Sequence, residues 1–385
     1  MDFITPIKYI EPNEYSAKDA ERDRYEDFLY ETKRKLTDKR ASITLENNEW
    51  KDVSERFDVD YTITHEGKIN PHEPLVVMFG GGFGNKDAML PVVGELLKGV
   101  TSGYNILGVP HFPDSDVTEI NPDGKTKLLS SYPPSAYAEN RLTGQLAHNL
   151  LTERNIPGYE GKTMLEQTTG PLVLVGQSNG ALAAAELLKL YKADLDQRFE
   201  RATTAQEVAK LIIERDRKIV YIGVNPAGTY DEAPFKDRRK TSMMHLAFNF
   251  LNNASFPELL GRTPDKWLPD FRKIFLNGKN SIPMKRMLEI CAIDRLVNKL
   301  APFTDKSGVS INLLFGRKDT VFQEHLTRLT NSDLYPNVRI KIISGAHQDY
   351  LFPGVNKEVA DSIVTAVNRP STHNIKDILG DLGTK

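Results

Sequence analysis

Gly176-Gln177-Ser178-Asn179-Gly180 sets a serine between glycines two residues away on either side. That spacing suits a hydroxyl carried on a sharp turn from a strand into a helix. Such a turn holds the serine in a strained backbone conformation, and the flanking glycines let strand and helix approach without side-chain clash. At this glycine content the pattern arises by chance roughly 0.1 times in a chain of this length. Its setting therefore decides. Before it, Leu172-Val173-Leu174-Val175-Gly176 carries no charge and reads as a strand covered on both faces. After it, the run from Ala181 to Tyr191 is nearly all strong helix formers, small ones first.

A serine hydroxyl is a poor nucleophile until a base removes its proton, and a buried carboxylate orients that base best. Two candidates follow apolar strands. Asp319 comes just after Ile311 to Phe315, and His347 just after Ile340 to Ile343. The chain order Ser178, Asp319, His347 is the order expected with this turn, and the last two are separated by enough chain for one helix and one strand. Asp231, after the strand ending near Val224, is the alternative acid, whereas Asp349 is too close in sequence to His347 to orient it. His111, after the strand ending at Val109, is placed at the mouth of the site and is the alternative base. The remaining histidines, 65, 72, 148, 245, 325 and 373, read as structural.

Addition of serine to a carbonyl creates a negative oxygen that needs a pair of donors. Asn179 supplies one through its backbone N–H. The glycine-rich run Gly80-Gly81-Gly82-Phe83-Gly84, after the strand Leu75 to Phe79, supplies the other. A dinucleotide-binding loop is the competing reading of these glycines. It fails because the spacing after Gly82 is wrong and residues 100 to 105 offer no acid for a ribose.

The elements that must position these residues alternate along the chain. Residues 12 to 40 are charge-dense with hydrophobic residues at surface-helix spacing. Trp50 to Phe57 and Val59 to Thr64 read as two short strands at an antiparallel edge. Buried strands follow at Leu75 to Phe79, Tyr104 to Val109, Leu172 to Val175, Ile219 to Val224, Val309 to Phe315 and Val338 to Ile343, with helices near 136–154, 181–191, 205–215 and 357–367. Strands alternating with helices predict a mostly parallel sheet with helices on both faces. Residues 1–49 form a charged helical extension, 50–229 and 308–368 the core, 230–307 a helical cap inserted into it, and 369–385 a tail.

The 385-residue chain, 39 % hydrophobic and 26 % charged, has the size for one large core plus a covering element. A formal net charge of -2 gives no whole-protein attraction to nucleic acid. The single cysteine, Cys291, excludes an internal disulfide and reads as a small core residue. No apolar run reaches the length of a membrane span, and the first residues lack the regions of a signal peptide, which predicts a cytoplasmic protein.

With these residues in place, the chain resembles the α/β-hydrolase fold superfamily over about residues 50 to 368. Four blocks carry the resemblance: Leu75 to Met89, Leu172 to Gly180, Ile311 to Val321 and Ile342 to Tyr350. It implies a triad of Ser178, Asp319 and His347. It also implies an oxyanion hole formed by Asn179 and by Phe83, with Gly82 the alternative donor. Where many members have His-Gly at the start of the oxyanion loop, this chain has Gly81-Gly82. The expected activity is cleavage of a carboxylic ester or related acyl compound through an acyl-enzyme, without a cofactor and on a small-molecule substrate. Acyl transfer, cofactor-free peroxidation with the same triad, or noncatalytic ligand binding on the same fold are the alternatives. Of the cap's large apolar residues Phe235, Met243, Met244, Phe248, Phe250, Phe256, Trp267 and Phe275, some are expected to line an apolar pocket and most to pack as core.

Overall fold

A computed structural model of the chain describes residues 12–45, 55–64, 69–81, 86–98, 103–111, 117–120, 126–128, 136–154, 161–229, 296–304, 308–317, 338–345 and 354–369. The uncharged runs become strands buried along their whole length: β3 (Leu75–Phe79), β4 (Asn105–Val109), β7 (Leu172–Gln177) and β8 (Ile219–Val224). A continuous apolar run is what a parallel strand covered on both faces requires. β7 shows why. Leu172 and Leu174 enter one core cluster and Val173 and Val175 the other, so successive side chains pack on opposite faces of the sheet.

β9 (Val309–Gly316) and β10 (Val338–Ile343) continue the parallel part, with β10 at the edge and half exposed. The antiparallel part consists of β1 (Leu36–Leu45), β2 (Glu55–Thr64), β5 (Val117–Ile120) and β6 (Thr126–Leu128). Among the described residues these make one ten-stranded sheet in the order β10-β9-β8-β7-β3-β4-β2-β5-β6, with β1 pairing β2. β7, β8, β9 and β10 all run parallel, and so do β3 and β4 beside β7. Their carboxyl ends therefore lie on one edge.

Helices α3 (Ala136–Thr152) and α5 (Asn179–Arg201) cover one face. Helices α2 (Leu90–Lys98) and α8 (Val355–Asn368) cover the other. The short α4 (Met164–Gln167) and α6 (Ala205–Arg215) each start with a reciprocal Thr/Glu capping box, Thr163 with Glu166 and Thr204 with Glu207. α1 (Pro12–Arg34) lies across α2 where Gly94 makes room for it. A β-carbon at Gly94 would come within 2.5 Å of Thr32 Oγ1. Lys33 Nζ holds the same contact from the other end through Asp87 Oδ2 at 2.7 Å. Among the described residues no helix is long and apolar enough to cross a membrane.

Three expectations change. The helical pattern read over 12–40 ends at Arg34, and Leu36–Leu45 is a strand of the sheet, so the core begins before residue 50. Asp38 and Arg40 are on its outward face, while Lys39 alternates with them on the face of Ala41 and Ile43. Ala41 and Ile43 point inward, while Arg40 pairs with Asp60 and Ser42 Oγ donates to Asp58 on the neighbouring strand. The two strands expected on either side of Asp58 are one, Glu55–Thr64, because the period-two alternation Phe57, Val59, Tyr61, Ile63 runs through Asp58 without a break.

The third change concerns the end of the expected cap insertion. α7 (Leu296–Leu300) and the 3₁₀ turn Ala301–Phe303 belong to the core, with Leu296, Leu300 and Phe303 in the α3/α5 cluster. Leu296 N donates to Gly228 O at 2.7 Å, so the chain re-enters beside the point where it left. Lys299 Nζ pairs with Glu186 Oε1 of α5, both side chains being buried. Residues 230–295, which hold most of the expected cap, Asp231 and Cys291, lie outside the described residues.

Candidate active site

Ser178 stands between the last residue of β7 and the first of α5, with φ 50° and ψ −119°. It is one of two non-glycine residues at positive φ among those described; the other is Asn225. A side chain at such a φ costs about 1–3 kcal/mol and persists only where its surroundings over-determine it. Here they do. Ser178 N donates to Val224 O at 3.0 Å, and Ser178 O accepts from Ala227 N at 3.1 Å and from Ala181 N at 3.2 Å. The hydroxyl does not cap α5, although serine is among the commonest capping residues.

The glycines on either side are required by backbone contact. A β-carbon at Gly176 would sit 2.5 Å from Ala181 Cα, and one at Gly180 would sit 2.7 Å from Phe79 O and closer still to Gly80 O. The second contact matters most. It presses the start of the glycine loop after β3 directly against the turn that carries the serine. At Gly81 a β-carbon would lie 3.5 Å from Ser178 Cβ and inside contact distance of Gln177 Oε1. The start of the glycine loop and the serine turn are therefore in contact.

Asn179 is the first residue of α5, so its backbone N–H has no acceptor within the helix, and the positive end of the helix dipole lies there. Its side chain points inward and is 2 % exposed. Asn179 Nδ2 is 3.0 Å from His111 Nε2, and His111 Nε2 is 3.2 Å from Asn140 Oδ1 on α3. His111 is itself 2 % exposed. It is therefore a buried residue under the turn, not one lining the mouth as expected, because α3 covers it.

β8 braces the site from the other side. Tyr221, fully buried in mid-strand, donates its hydroxyl to Ala181 O at 2.7 Å and ties β8 to the first turn of α5. Burial holds its phenol well above the ordinary range, so it remains a neutral donor. Asn225, at φ 43° after β8, donates N–H to Leu314 O at 2.7 Å and accepts from Gly316 N through Oδ1 at 2.6 Å. The turn that fixes Ser178 thereby also fixes the end of β9. Sequence reasoning missed Tyr221 and Asn225 as site-building residues. The available signals were a tyrosine inside an apolar strand and an asparagine just past a strand end.

Of the expected site residues the structure places Ser178 and Asn179. Phe83, Asp319 and His347 lie outside the described residues, as do the alternatives Gly82 and Asp231. The strands leading to the two triad candidates are described. β9 ends at Gly316, just before Asp319, and β10 at Ile343, just before His347. Both end on the edge where Ser178 stands, and Arg317 N donates to Ile343 O at 2.9 Å between them.

This sheet order, with the serine turn after the central strand β7 and helices on both faces, is the α/β-hydrolase fold. No family model matches the chain, and no curated protein matches it. Solved structures do. An α/β-hydrolase enzyme from a Medee basin deep-sea metagenome library is 12 % identical with TM-score 0.46, covering 87 % of this chain and 99 % of that one. A bromoperoxidase from Bacillus anthracis is 15 % identical with TM-score 0.46, covering 84 % and 100 %. The naproxen esterase (carboxylesterase NP) from Bacillus subtilis is 13 % identical with TM-score 0.43, covering 90 % and 98 %. These are likenesses of fold.

Proposed function

We propose that the chain is a serine hydrolase that cleaves a carboxylic ester or related acyl compound on a small molecule. The observation that carries this reading is the backbone of Ser178. A serine at φ 50° on the strand-to-helix turn, with the start of a glycine loop pressed against it, is a costly arrangement. Its use is to present a hydroxyl above the sheet edge.

In this reading His347 accepts the proton of Ser178 as the oxygen attacks the acyl carbon, and Asp319 orients the imidazole and stabilises its charged form. Phe83 and Asn179 N–H groups hold the oxyanion. His347 then returns the proton to the departing alkoxide. Water, activated by the same base, releases the acid and restores Ser178. Support comes from the parallel run of β7, β8, β9 and β10. With strands about 4.8 Å apart, the ends of β9 and β10 stand roughly 10 and 14 Å from β7, distances that an acid and a histidine on loops can close.

An active-site-directed fluorophosphonate, read by intact mass and peptide mapping on wild type and Ser178→Ala, tests the reading. Expected is one adduct on Ser178, absent in the alanine variant. Folded wild-type protein that takes no label refutes it.

A further inference from the structure

We propose that His111 is a positioning residue for the oxyanion donor, holding Asn179 by its side chain so that the Asn179 backbone N–H faces the substrate oxygen. This inference rests on the reading of Ser178 as nucleophile. His111, Asn140 and Asn179 come from three different places, just past the end of β4, the first turns of α3 and the start of α5. All three are buried, at 2 %, 0 % and 2 % exposure, and they meet at one atom, His111 Nε2.

The geometry makes the imidazole the governing member. Nε2 carries either a lone pair or a proton. With a lone pair it accepts from Asn179 Nδ2, and the approach of Asn140 Oδ1 is then not a hydrogen bond. With a proton it donates to Asn140 Oδ1, and the approach of Asn179 Nδ2 is then not one. In the orientation present, Asn179 Oδ1 is buried without a partner, so Nδ2 is the atom that anchors this side chain. The anchoring state is therefore the one with the lone pair on Nε2.

The peptide that carries the Asn179 N–H is held at its carbonyl end, where Ser178 O accepts from Ala227 N and Ala181 N, and the side-chain anchor fixes the Asn179 end of the same plane, whose N–H has no acceptor within α5. An oxyanion donor acts only when its N–H is aimed at the developing charge, and a displacement of about 1 Å at a reacting centre can cost 10²-fold in rate. Pro110 precedes His111 and restricts the backbone leading to it, and α3 closes over the ring through Asn140. A fully apolar trio at these positions would fill the same space without the cost of burying three polar groups.

The test is a double-mutant cycle on hydrolysis of 4-nitrophenyl butyrate, with kcat expressed per site titrated by the fluorophosphonate. His111→Leu keeps the volume and removes the anchor. Its kcat is expected to fall about 10–100-fold with KM within about two-fold. Asn179→Ala is expected to fall similarly, and the double variant no further. His111→Gln, which restores a partner for the amide, is expected to recover most of the rate.

A merely structural histidine would lower the thermal midpoint and the titratable fraction but leave kcat per titrated site unchanged. That result overturns the inference, as do single effects that multiply in the double variant. If His111→Leu does not fold, Asn179→Ala decides alone, and a rate within about two-fold of wild type refutes the anchor. Wild-type protein that takes no label on Ser178 overturns the nucleophile reading and this inference with it. Labelled wild type with an indifferent His111 overturns this inference alone.

Discussion

Replacing Ser178 by glycine should make the protein more stable than replacing it by alanine, the reverse of the usual order. Both variants lose the hydroxyl and should lose the proposed activity, so their difference isolates the β-carbon. At φ 50° and ψ −119° a β-carbon costs about 1–3 kcal/mol, taken as about 2. Against this, glycine brings a larger unfolded-state entropy, about 0.5–1 kcal/mol. It also forgoes the burial of one carbon, up to about 0.8 kcal/mol if complete and about half that at this half-exposed position. The net is about 1 kcal/mol in favour of glycine. At an m-value of about 3 kcal/mol/M this separates the two urea midpoints by on the order of 0.3 M. Equilibrium unfolding followed by circular dichroism measures it directly. An alanine variant as stable as the glycine variant would show that the turn stores no strain at Ser178. The structural basis for calling it a nucleophile would then be gone.

Gly180→Ala places a β-carbon against two backbone oxygens, at Phe79 and Gly80, that no rotamer change can move. It should cost about 1–3 kcal/mol by overpacking and slow fluorophosphonate labelling at least about ten-fold, because relief must separate the turn from the glycine loop. Lys299→Met leaves the Glu186 carboxylate buried and unpaired beneath the returning segment. A loss of about 3–5 kcal/mol in urea unfolding is expected, most of it recovered in Glu186→Gln/Lys299→Met. For pH, burial pushes the Tyr61 phenol up to about 12, and burial first and the Glu73 carboxylate second raise that of Tyr104. The unfolded chain therefore releases these protons first, so stability holds below about pH 10 and falls as pH rises towards 12. The slope is at most about 1.4 kcal/mol per pH unit for each tyrosine. Urea midpoints between pH 8 and 11.5 should show this fall, shallower in Tyr61→Phe.

The parallel half of the fold was legible because burial on both faces leaves a direct mark, an uncharged run between turn residues, at Leu75, Leu172, Ile219 and Val309 alike. The antiparallel edge was not. β1 has one solvated face, and its Asp38, Lys39 and Arg40 imitate a charged helix; only pairing with β2, through Arg40–Asp60 and Ser42–Asp58, makes strand of it. At the site, Ser178 was legible because its turn demands glycines at fixed offsets. His111 was visible as a residue type but not as a buried one, since its environment is made by Asn140, far along the chain on α3. Tyr221 and Asn225 were harder still. Their roles lie in hydrogen bonds to Ala181 O and Gly316 N, contacts between elements that no local pattern encodes.

Those two residues explain how a strained serine is tolerated. A residue at positive φ relaxes by moving its neighbours, so the strain survives only if both flanks are fixed. On the strand side, Ser178 N is bonded to Val224 O, continuing the β7–β8 ladder past its last paired residues, Gln177 and Val224. On the helix side, Ala227 N holds Ser178 O and Tyr221 holds Ala181 O, so α5 cannot slide away. All of these partners belong to β8 or the turn after it. The same turn, through Asn225, fixes Leu314 and Gly316 at the end of β9. One short segment therefore sets both the serine and the strand that leads to Asp319. In the proposed reading a change at Asn225 should act on Ser178 and Asp319 together, whereas a change at His111 should act on Asn179 alone.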